Sequence, residues 1–112
     1  MGFSWLEFPA PSVNPSHENP IASLSNHPNP FFASTTINFT AKKPYQNSSV
    51  GVYNTRGQLI TTLDVQAGEL PTEGYATWNG KDQNGKDVAN GIYLYKVEID
   101  GSAKVQKMML TR

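Results

Sequence analysis

Oxygen-bearing side chains crowd one stretch of the chain, "DQNGKD" at residues 82–87, and their spacing offers the first possible chemistry. Asp82, Asn84 and Asp87 stand at roughly the intervals at which a calcium loop places its ligands. The full loop needs D-x-[DN]-x-[DN]-G and a terminal Glu. Here the glycine arrives one pair too early and no Glu closes the run. An Asx-turn hairpin, in which a short side chain accepts from nearby backbone N–H groups, accounts for the same residues without a metal.

Other chemistry is sparse. His17 and His27 are the only histidines, and both fall in a proline-rich stretch rather than on the rigid frame a catalytic or metal-ligating histidine needs. Glu69 and Glu73 flank Pro71 and can be written as a carboxylate pair, or as a solvated loop. There is no glycine-rich phosphate loop, no H-E-x-x-H and no nucleophile elbow. The absence of cysteine excludes disulfides and thiolate metal sites. No catalytic constellation emerges, no cofactor is implied, and the chain reads as a non-enzyme. "NFT" at 38–40 and "NSS" at 47–49 match the N-glycosylation pattern, although Asn38 also reads as the polar-face residue between Ile37 and Phe39. The last ten residues, "AKVQKMMLTR", carry Lys104, Lys107 and Arg112 and no acidic side chain, within a chain of zero formal net charge.

The elements that must hold these residues are β-strands. The chain's 112 residues suit one domain with one core. Neutral overall charge gives no footprint for nucleic acid. No apolar run approaches the roughly 20 residues that span a bilayer, and "MGFSWLEF" lacks the form of a signal peptide. Phe3, Trp5, Leu6 and Phe8 form a short apolar patch, either a remnant of a preceding domain or a strand laid on this one. Residues 9–30 hold most of the prolines and read as a semi-rigid, extended linker.

From residue 35 the alternation has period two. "TTINFT" puts Ile37 and Phe39 on one face, and "SVGVYNT" pairs Val50 with Val52. "RG" at 56–57 is a turn that makes 49–64 a hairpin. "GYATWNG" offers Tyr75 and Trp78 to a core. "GIYLYKVEID" aligns Tyr93, Tyr95, Val97 and Ile99, and "DGS" turns it into a last strand on which Met108 and Leu110 share one face while Lys107 and Met109 share the other. The Asn-Gly pairs at 79–80, 84–85 and 90–91 mark turns in a long polar loop. The expected fold is all-β, an antiparallel β-sandwich of about seven strands. Trp78, Tyr93, Tyr95, Ile37 and Phe39 are expected in its core.

"NHPNPF" before "TTINFT", then "VYNTRGQLI", "ATWNGKDQNGKDVANGIYLYKV" and "KMML", occur in this order over residues 26–112. The set resembles the C-terminal sorting domain of the type IX (Por) secretion system, itself similar to the Ig-like domain of flagellar hook-capping proteins. The resemblance implies an Ig-like sandwich at 28–112 behind a linker at 1–27. It implies delivery of an upstream cargo domain to the cell surface or medium, by way of the periplasm, in Bacteroidetes-like bacteria. The implied partners are an outer-membrane translocon and a sortase-like peptidase, with neither nucleic acid nor a membrane span.

The family's marked positions fall on Pro28, Asn29 and Pro30, on Gly91 and Tyr93, and on Lys107 with its strand, so that Lys104, Lys107, Met108 and Leu110 are expected to carry signal. One departure is visible: the family often continues "PNPFNPST", where this chain has Phe32 and Ala33 in place of Asn-Pro. On this reading the prolines form a stop between cargo and sandwich, and Phe31 plugs the sandwich end. Two other functions remain open: a glycan- or protein-binding module using Trp5, Tyr45 and exposed tyrosines, and a structural domain of the hook-capping type. A sorting domain closes its protein, and here the last strand runs to Arg112, whereas a hook-capping domain is flanked by polymer-binding segments.

Overall fold

The computed structural model describes residues 19–112. Eight strands follow one another without a helix among the described residues: β1 (Ile21–His27), β2 (Thr35–Ala41), β3 (Ser48–Tyr53), β4 (Leu59–Leu63), β5 (Gln66–Ala67), β6 (Glu73–Trp78), β7 (Gly91–Ile99) and β8 (Ser102–Leu110). They form two antiparallel sheets of four strands, ordered β1-β2-β6-β5 and β4-β3-β7-β8. This is the expected Ig-like sandwich, with one strand more than the sequence suggested.

Alternation decides which side chains the two sheets share. On β7, Tyr93, Tyr95, Val97 and Ile99 are buried, and on β2 so are Thr35, Ile37, Phe39 and Ala41. Trp78, Phe31, Val50, Val52, Met108 and Leu110 complete the core. Each large side chain so buried contributes about 2–3 kcal/mol. On β6 the inward residues are Gly74, Ala76 and Trp78. Tyr75 therefore points out and is 39% exposed, which corrects its assignment to the core. Residues three apart on a strand fall on opposite faces, so Tyr75 and Trp78 cannot both point inward. Gly74 is required by close approach, because a Cβ there would collide with the Phe39 ring and lie 2.7 Å from the Tyr45 hydroxyl.

The linker reading of residues 9–30 is also corrected. Residues 21–27 form β1, an edge strand paired along β2 from Ile21↔Ala41 to His27↔Thr36. "HPNP" is consequently the connection between β1 and β2, not a stop in front of the sandwich. Both of its X-Pro bonds, His27-Pro28 and Asn29-Pro30, are cis. Residues 9–18 of that stretch, together with Phe3, Trp5, Leu6, Phe8 and His17, lie outside the described residues. Phe31 does plug the sandwich: it is fully buried, its ring 5.5 Å from that of Trp78.

Candidate functional site: the β8 edge

β8 is an edge strand with β7 as its one sheet neighbour. The register sets Gly91 opposite Leu110 and Tyr93 opposite Met108. Met108 and Leu110 are buried, while Lys107 and Met109 face outward, as the alternation predicted. Lys104 shares its parity with Met108, not with Lys107, and is half-buried.

The proline motif closes on the end of this strand. Asn29 Oδ1 accepts from the Met109 N–H at 3.0 Å. The Phe31 N–H donates to the Met109 carbonyl at 2.9 Å, and the Thr111 N–H donates back to the Phe31 carbonyl at 2.9 Å. Phe31 thus forms a one-residue parallel bridge to Leu110. Behind it, the Pro28 carbonyl accepts from the Thr35 hydroxyl at 2.8 Å. Asn29, Pro30, Ile92, Lys107, Met108 and Met109 line a shallow surface groove of about 350 Å³. Pro28, Asn29, Pro30, Gly91, Tyr93, Lys107, Met108 and Leu110 are therefore brought to one end of one sheet edge. Lys104 lies farther back along the strand.

Beneath the groove sits an aromatic stack. Tyr93 meets Trp78 edge-on with ring centroids 5.2 Å apart. The Tyr93 hydroxyl donates to the Ala89 carbonyl at 2.6 Å, and the Trp78 indole N–H donates to the Lys81 carbonyl at 2.9 Å. Burial raises the Tyr93 phenol above its ordinary range, a shift that the Arg112 charge partly opposes. Gly91 takes a φ of 146°, a region that favours glycine, where the loop enters β7.

Arg112, the third cation of the last ten residues, has a structural role. Its guanidinium donates to the Val88 carbonyl at 2.9 Å and the Gly80 carbonyl at 2.8 Å, and lies 3.4 Å from Asp87 Oδ1. Its own carbonyl accepts from the Asn90 side chain at 2.8 Å. The strand end is thereby clamped to the polar loop, a role that composition alone did not signal.

The calcium candidates are engaged in the same loop. Asp82 Oδ1 accepts from the Asn84 N–H at 2.9 Å and the Lys86 N–H at 3.0 Å, the Asx-turn pattern. Asp87 Oδ1 accepts from Lys81 Nζ at 2.8 Å. That bond, with the Lys81 charge and then that of Arg112, holds the Asp87 carboxyl below its usual range. No cluster of three His, Cys, Asp or Glu able to hold a metal occurs among the described residues. His27 is exposed at the end of β1. Glu73 begins β6 and accepts from the Leu70 N–H at 3.3 Å. Tyr45, a candidate for ligand binding, is half-buried against Phe39 at 5.7 Å, and its hydroxyl donates to the Glu73 carbonyl at 2.9 Å.

Against known proteins, the model of the FlgD Ig-like domain matches residues 27–102, more than half of the chain. The chain belongs to the FlgD Ig-like domain family. As an FlgD Ig-like domain it resembles several solved structures. Dimeric latent PorU from Porphyromonas gingivalis shares 24% identity at a TM-score of 0.65, over 79% of this chain and 9% of that one. PorZ, described as an essential surface component of the type IX secretion system of the same bacterium, shares 23% at 0.56, over 80% and 12% respectively. CopC from Methylosinus trichosporium OB3b shares 17% at 0.50, over 84% of this chain and 92% of its own. At these identities the likeness is one of fold, and the FlgD Ig-like domain spans about a tenth of the length of PorU and PorZ. No curated protein sequence matches the chain.

Proposed function

We propose that this FlgD Ig-like domain is a non-catalytic C-terminal sorting module of a type IX secretion system. It would direct an upstream cargo domain from the periplasm through an outer-membrane translocon to the cell surface or medium, where a sortase-like peptidase acts on the cargo. The observation that carries this reading is the convergence at the end of β8. Of the residues quoted for the sorting-domain resemblance, Asn29, Pro30, Lys107, Met108 and Met109 line one groove although they come from opposite ends of the chain. The fold shared with PorZ, which works in that system, supports the same reading. The sorting module would begin at β1 rather than at residue 28, because Ile21 is part of the core.

Fusion of the 112-residue chain behind a periplasm-directed fluorescent reporter tests the proposal. In a type IX-competent bacterium the reporter is expected on the surface or in the medium. In a strain lacking the translocon it should remain in the periplasm. Equal release from both strains would overturn the assignment.

A further inference from the structure

The outer face of the β1-β2-β6-β5 sheet differs in kind from that of its partner. Residues directly opposite each other on paired strands share a face. One row across this face runs Ser25, Asn38, Tyr75 and Gln66, one residue from each strand in order. The row on one side is His27, Thr36 and Thr77, and the row on the other is Ser23, Thr40 and Glu73. These rows present hydroxyls, amides, an imidazole, a carboxylate and one aromatic ring, with no lysine, arginine or aliphatic side chain among them. The outer face of the other sheet instead mixes Lys96 and Lys107 with Ile92, Val105 and Met109.

Strand propensity accounts for the threonines by itself. It does not account for what stands at the centre. Tyr75 is 39% exposed, and its hydroxyl, the Gln66 amide and the Glu69 carboxylate make no hydrogen bond among the described residues. The Asn38 amide donates to the Thr36 carbonyl at 3.4 Å and keeps its oxygen unspent. Beside Tyr75 the face deepens into a cleft of about 360 Å³, a size at which small ligands are held. Asn38, Thr40, Glu73 and Tyr75 of the sheet line it, with Gly68 and Glu69 of the turn between β5 and β6. The Gly68 N–H donates to the Glu73 carbonyl at 3.1 Å, which sets the two residues side by side. Gly68 has a φ outside the left-handed region, so its backbone does not call for glycine. Space does: a Cβ there would lie 2.6 Å from the Glu73 Cβ and 3.1 Å from its Oε1. The missing side chain gives the Glu73 carboxyl its place at the cleft wall.

These groups match one class of ligand. A sugar ring carries hydroxyls that both donate and accept, around an apolar C–H face. A tyrosine ring covers the C–H face, amides donate and accept together, and carboxylates take hydroxyl protons in charge-assisted bonds. Glu69 and Glu73 would repel an anionic sugar, and the cleft lining offers no cation to offset them.

We propose that the outer face of β1-β2-β6-β5 binds a neutral oligosaccharide, one unit of which stacks on Tyr75 in this cleft while its neighbours cross the row of Asn38 and Ser25. The site lies on the other sheet from the β8 edge, goes beyond the sorting role and does not depend on it.

The test titrates the isotope-labelled full chain separately with cellohexaose, chitohexaose and maltohexaose, read by NMR. At least one should shift the Asn38 and Gln66 side-chain amides and the Tyr75 backbone amide saturably, with Lys96 and Val105 unmoved. Tyr75→Ala should weaken that binding roughly tenfold or more, as loss of an aromatic anchor does. Its melting temperature should stay near the parent's, because the side chain faces outward. Should that variant fail to fold, Asn38→Ala is held to the same loss. Hexagalacturonate, an anionic control, should leave the spectrum unchanged. The proposal is overturned by the absence of a saturable shift with all three neutral sugars, by a folded variant that keeps the parent's affinity, or by equal binding of hexagalacturonate. It is overturned equally if the same amides shift with protein concentration alone and sedimentation shows a dimer, since a second copy of the chain then covers the face.

Discussion

Arg112 is the residue whose part changes most between sequence and structure. In the sequence it is one of three cations near the chain's last residues; in the structure it is the clamp that joins the end of β8 to the loop before β7. Arg112→Ala is expected to lower stability by roughly 1–3 kcal/mol, the range for lost hydrogen bonds of a charged donor, read as a shift in the urea midpoint. Asp87 adds an acid dependence. Its folded carboxyl is held low, so its contribution is present above the unfolded value of 3.8 and is lost as pH falls through the folded value. Melts of Asp87→Asn should show a shallower loss of Tm at acid pH than the parent. The buried tyrosines act at the other end of the scale. Burial raises the phenols of Tyr95, Tyr93 and Tyr45 above 10.0. Their contribution is complete below that unfolded value and falls as pH rises through the folded ones. Tm should therefore decline above about pH 10, and Tyr95→Phe should blunt the decline.

At the scale of elements, strong alternation was legible and its interruptions were not. β2, β7 and β8 follow from the residues, because Ile37 with Phe39, Tyr93 through Ile99, and Met108 with Leu110 each keep period two. β1 was hidden. Its apolar residues, Ile21 and Leu24, are an odd number apart, and the register shift between Ile21 and Ser23 is what lets both turn toward the core. The two-residue β5 is too short to leave a pattern. Because β1 is hydrogen-bonded along β2, limited proteolysis of the native chain should spare 21–27. Rapid first cleavage between Leu24 and His27 would show that β1 does not hold in solution. Trp78→Ala, which removes the centre of the stack with Phe31 and Tyr93, should cost roughly 3–5 kcal/mol in chemical denaturation.

For the whole molecule, the motifs of the candidate site were readable but their meeting place was not. Nothing local in "PNPF" indicates that it packs against a strand 80 residues on. That adjacency is made by the sandwich, which sets the β1–β2 connection of one sheet beside the last strand of the other. The central claim is that this assembled edge, and the lysines on it, are what the secretion machinery reads. Export of the reporter fusion carrying K104A/K107A, with thermal melts of the same chain, tests it most directly. Both lysines lie outside the buried core, so the melting temperature should stay near the parent's, surface changes usually costing within about 0.5 kcal/mol. The account predicts a folded fusion retained in the periplasm; a folded fusion exported at the parent level would contradict it.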